Sequence, residues 1–65
     1  MYTKITKLDA HAFALHIYVA GQWELEATYR DNQHAQRVAN LYKTNNALQM
    51  LFTQKVLHRR KYPIV

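Results

Sequence analysis

Apolar side chains occupy every second position from Phe13 to Val19 and again from Trp23 to Tyr29, on either side of Gly21, the only glycine in the chain. Period-two alternation interrupted by a turn residue marks a β-hairpin with one apolar face. Two strands cannot bury such a face by themselves, so whatever packs on it sets the architecture and whatever stays uncovered is available to partners.

Side-chain parity constrains the turn. A two-residue Ala20-Gly21 connection would set Val19 against Gln22 and Ile17 against Glu24, mixing polar with apolar positions. A three-residue loop of Val19, Ala20 and Gly21 closes on Tyr18 and Gln22 and sets Ile17 opposite Trp23 and Leu15 opposite Leu25. It also puts Gly21 where a type I turn with a G1 bulge needs positive φ. This register is the expected one, and it assigns Phe13, Leu15, Ile17, Trp23 and Leu25 to the covered side.

After the hairpin, Asp31 precedes Asn32-Gln33-His34-Ala35 and is suited to cap a helix N-terminus. Ala35, Val38, Ala39 and Tyr42 recur at helical spacing, with Leu41 widening the stripe, so a helix is expected from Asn32 to Lys43. Thr44-Asn45-Asn46 ends it.

From Ala47 to His58 two readings compete. Leu48, Met50, Phe52 and Val56 alternate as in a strand, whereas Ala47-Leu48-Gln49-Met50-Leu51 has good helix propensity behind a capping asparagine at Asn46. Coverage favours the strand, which would return beside the first hairpin strand beneath a crossover helix and give the order 2-1-3. Tyr2 to Lys7 could add a leading edge strand, with Asp9-Ala10-His11 turning back into the hairpin. The expected fold is therefore α+β, a small antiparallel sheet in the order ββαβ with one helix packed on one face.

With 65 residues the chain makes one domain, 1–65, of marginal stability. Without cysteine it has no disulfide or thiolate metal site, and no apolar run approaches the roughly 20 residues of a membrane span. Met1-Tyr2-Thr3-Lys4 leads into an alternating segment, unlike a signal peptide. A cytoplasmic protein without membrane contact is expected.

In that fold the uncovered sheet face would carry Ala14, His16 and Tyr18, then Glu24, Glu26 and Thr28, then Leu51, Thr53, Lys55 and Leu57. Tyr18, His16, Leu51 and Leu57 are the candidate protein-binding residues. An ordinary solvent face with cross-strand Glu–Lys pairs is the alternative. Charge offers a second surface: nine Lys and Arg oppose four Asp and Glu, a net charge of +5, and His58-Arg59-Arg60-Lys61 is followed by Tyr62. Residues 59–65 read as an extended basic tail, beyond which Lys4, Lys7 and Lys55 join Arg59, Arg60 and Lys61 as candidate phosphate contacts. Solubilising the chain end is the competing role.

Catalytic chemistry is poorly supplied. Serine and cysteine are both absent, and the carboxylates Asp9, Glu24, Glu26 and Asp31 form no third-ligand or acid–base constellation beyond Glu24 and Glu26, about 7 Å apart on one strand. The histidines lack zinc-ligand spacing. No metal, no cofactor and no enzymatic activity are expected.

As a pattern of elements over Phe13 to Pro63, the order hairpin, short helix, returning strand and basic ending resembles very short bacteriophage proteins that inhibit host RNA polymerase, and small anti-CRISPR proteins. The resemblance implies a non-enzymatic inhibitor that docks on a larger protein or nucleoprotein complex. It assigns no residue a role, and this basic chain departs from the usual acidity of such inhibitors. A nucleic-acid-binding accessory protein and a homodimeric structural module are the alternatives.

Overall fold

The computed structural model describes residues 1–62 and runs β1 (Thr3–Asp9), β2 (Ala12–Val19), β3 (Gln22–Tyr29), α1 (Asn32–Thr44) and α2 (Asn46–Lys61). The fold is α+β, but its order is βββαα with two helices, not ββαβ with one. The strands form an antiparallel sheet in the order β1-β2-β3. The N-terminal segment thus takes the edge beside β2 that a returning C-terminal strand was expected to fill. The turn into β2 lies where it was anticipated, and the His11 amide donates to the Asp9 carboxylate at 2.7 Å.

The second turn is the two-residue Ala20-Gly21 connection. Both residues have positive φ, 45° and 85°, as a type I′ hairpin turn requires. Val19 therefore pairs with Gln22, Tyr18 with Trp23, Ile17 with Glu24 and His16 with Leu25. The parity conflict is real, but it is resolved inside the strand. Between Leu15 and His16 the register shifts, and Leu15 pairs with Ala27, so Glu26 is an extra residue in β3. The bulge flips every side chain beyond it to the other face. Ala27 and Tyr29 join Leu15 and Phe13 on the helix side, whereas Trp23 and Leu25, expected in the core, lie on the opposite side.

The helix from Asn32 forms as its sequence indicates, with the Asp31 carboxylate accepting the His34 amide at 2.7 Å. It buries Ala35, Ala39 and Tyr42, while Leu41 stays exposed. Asn45, in extended conformation, ends α1 and caps α2 by accepting the Leu48 amide at 3.0 Å. In α2 the residues that pack inward are Leu48, Phe52 and Val56, one per turn. His58, Arg59, Arg60 and Lys61 occupy its last turn, where cations offset the negative helix end. Residues 59–61 are thus helical, not an extended tail, and Tyr62 is the C-cap whose amide donates to the His58 carbonyl; 63–65 lie outside the described residues.

Leu15, Ile17 and Val19 pack against Ala39, Tyr42, Phe52 and Val56, with Ile5, Tyr29, Val38 and Leu48 at the margin. The molecule measures 35 × 30 × 16 Å. A thickness of 16 Å holds one sheet and one helical layer, since packed layers sit about 10 Å apart. Among the described residues, nothing covers the second face of the sheet.

Arg60 ties the layers together at the hairpin end. Its guanidinium donates to Glu24 Oε1 through both Nε, at 3.0 Å, and Nη2, and also to the carbonyls of Val19 and Ala20 at 2.8 and 3.2 Å. Arg60→Ala leaves Glu24 half-buried and unpaired and is expected to cost about 2 kcal/mol in chemical denaturation, with Arg60→Lys recovering little because an ammonium cannot reproduce the fork. Ala20 carries a left-handed strain of about 1 kcal/mol. Ala20→Asn, the residue type I′ turns prefer at this position, is expected to raise the melting temperature by about 4 °C or more; an unchanged or lower value contradicts the turn assignment.

Candidate functional site

Cross-strand pairing places three rows of side chains on the uncovered face. Lys4 pairs with His16 and Thr6 with Ala14 across β1 and β2. Tyr18 with Trp23, His16 with Leu25 and Ala14 with Thr28 continue these rows onto β3. Tyr2 extends the first row, its carbonyl accepting the Tyr18 amide at 3.0 Å. The outer row is therefore aromatic across all three strands. Tyr2 and Tyr18 lie 6.3 Å apart between ring centroids and Tyr18 and Trp23 5.3 Å, with interplanar angles of 74° and 71°. These are edge-to-face contacts.

The rings remain accessible: Tyr2 is 76% exposed, Trp23 42% and Tyr18 39%. Lys4 reaches back so that its Nζ sits 4.6 Å from the Trp23 ring centroid, a cation–π contact. His16 stands in the middle row, and its Nδ1 is buried without a hydrogen-bond partner. Beyond these rows Asp9 pairs with Ala12 at the end of the face farthest from the rings, and it is the one carboxylate that pairing places there among the described residues.

Each of the four acids is already engaged by a partner within the fold. Asp9 accepts at the first turn and Asp31 at the α1 cap. Glu24 is paired with Arg60. Glu26, pushed to the helix side by the bulge, accepts the hydroxyl of Tyr29 and, at 3.3 Å, that of Tyr42. Glu24 and Glu26, expected on the open face, lie on the covered one.

Among the residues singled out from the sequence, Tyr18, His16 and Lys4 share the open face. Leu51 and Leu57 do not join them; they are exposed on α2, in the helical layer. Lys7 pairs with Phe13 in a helix-side row. Lys55, Arg59 and Lys61 are exposed on α2, and Arg60 is committed to the fold. Tyr2 and Trp23 were missed as surface residues. The two-residue turn would have revealed Trp23, since it alone sets Trp23 against Tyr18.

Among the described residues no group of three or more His, Cys, Asp or Glu could hold a metal ion, and no helix is long and apolar enough to cross a membrane. The chain matches no protein-family model, no curated protein and no solved structure.

The Glu26 cluster makes the fold sensitive to alkali. Burial, then the Glu26 charge and hydrogen bond, push the Tyr42 hydroxyl up to about 12. Burial, then the hydrogen bond from its hydroxyl to Glu26, raise Tyr29 further. Since the native state holds these protons more tightly than the unfolded chain, their contribution is complete below about pH 10 and is lost as pH rises through the native values. Thermal melts between pH 10 and 12 are expected to fall more steeply for the native sequence than for Tyr42→Phe; parallel curves contradict the coupling.

Proposed function

We propose that the protein is a non-enzymatic nucleic-acid-binding accessory protein and that the uncovered sheet face is its binding surface. One observation carries this reading: an accessible aromatic row with a lysine ammonium over its tryptophan, on a face whose one paired carboxylate, Asp9, lies at the opposite end. Rings offer stacking to bases and cations offer attraction to phosphate. The net charge of +5 supports the same partner, because all four acids are already engaged within the fold while Lys4, Lys7, Lys55, Arg59 and Lys61 are exposed.

A second reading rests on a different surface. Met50, Leu51 and Leu57 on α2 and Leu41 on α1 are all exposed, from 44% to 65%, and exposed apolar side chains suit docking to a larger protein or a second copy. In that case the protein acts as a small regulator, as the resemblance to phage inhibitors implies. The two readings predict different sensitive residues.

Elution from immobilised DNA with a salt gradient separates them. The native chain is expected to be retained at low salt and released steeply as salt rises, while Lys4→Ala/Trp23→Ala elutes early and Leu51→Glu/Leu57→Glu elutes like the native chain. Failure of the native chain to be retained rejects the nucleic-acid reading. Early elution of the Leu51/Leu57 variant alone rejects the sheet face as its surface.

A further inference from the structure

We propose that the open face selects single-stranded over double-stranded nucleic acid by stacking unpaired bases on the Tyr2, Tyr18 and Trp23 rings, with the Lys4 ammonium exchanging the Trp23 ring for a phosphate. The inference rests on the nucleic-acid reading above and adds the form of the ligand.

The composition of the face decides between the two forms. A duplex hides the faces of its bases and presents only groove edges and phosphates, and groove edges are read mainly by Arg, Asn, Gln and Lys. The nine side chains of the three rows, from Tyr2 to Thr28, include none of the first three and one lysine, and the Asp9–Ala12 pair at the far end adds none. A duplex would gain little beyond phosphate attraction. Unstacked bases, by contrast, need exposed ring faces, and that is what the outer row supplies. Neighbouring rings stand near 70° to one another, so each covers its neighbour with an edge and leaves ring surface accessible.

The position of Lys4 fits a binding exchange. Its contact with Trp23 at 4.6 Å is solvent-accessible, and an exposed cation–π contact is weaker than a base stacked on the same ring. Stacking therefore outcompetes the lysine, and the freed ammonium, still anchored on β1 across β2 from the ring, is within side-chain reach of the backbone phosphate next to the stacked base. With few hydrogen-bonding groups on the face, recognition is expected to tolerate any sequence.

The test uses the full chain, a fluorescein-labelled thymidine oligonucleotide of about 20 nucleotides, and the same strand annealed to its complement. Anisotropy is expected to show binding to the single strand about tenfold or more tighter than to the duplex, with quenching of Trp23 emission on single-strand binding only. Trp23→Ala should weaken single-strand binding about fivefold or more and Trp23→Phe only slightly, and circular dichroism confirms that both variants fold. Lys4→Gln should reduce the salt slope by about 0.7 while Trp23 quenching persists. Equal or tighter duplex binding overturns the inference and leaves the nucleic-acid reading in place; Trp23→Ala binding like the native chain overturns the inference and also the assignment of the sheet face, leaving only nucleic-acid binding itself. Absence of binding to either form overturns both.

Discussion

One extra residue in β3 governs the molecule. Without Glu26 in the bulge, the alternation from Trp23 to Tyr29 would place all four apolar side chains on a single face. With it, the strand is divided. Ala27 and Tyr29 serve the helix side, and Trp23 and Leu25 serve the open side. The core is then built mostly from β2, whose Leu15, Ile17 and Val19 need no help from the first half of β3. The vacated helix-side positions near the turn go to Gln22 and Glu24, and Glu24 is what Arg60 holds. The bulge thus creates both the aromatic face and the polar latch that closes the hairpin end.

The helices follow from what the sheet leaves open. The side bearing Leu15, Ile17 and Val19 holds the second layer, and α1 and α2 supply it with Ala39, Tyr42, Phe52 and Val56. Glu26 stays on that side as a charged group between two tyrosine hydroxyls. A carboxylate there is tolerated because both hydroxyls donate to it.

Local signals were legible and the long-range ones were not. The hairpin, the Asp31 cap and the inward stripe of α1 all depend on neighbours in sequence, and they form as the residues indicate. The bulge leaves no compositional trace: Glu26 reads as one more outward polar residue in an alternating strand, so parity alone points to the loop. The misreading of α2 has a different cause. Leu48, Phe52 and Val56 are four apart, a spacing that is at once one helical turn and two strand repeats, and Met50 completed the strand pattern. Gln54 interrupted that pattern, and Asn45, capping Leu48, was the signal that favoured a helix. The placement of the candidate residues follows from both: Tyr18, His16 and Lys4 share the open face, Trp23 stands there instead of in the core, and Leu51 and Leu57 lie on α2 and not on the sheet.

A body 16 Å thick has room for one packed interface and no more. The sheet contributes to that interface with one side and spends the other on rings and a lysine that stabilise nothing beneath them. Any ligand that settles there becomes the missing third layer, and its binding free energy adds to that of folding by mass action. For so small a chain, occupancy and persistence are then two readings of one equilibrium.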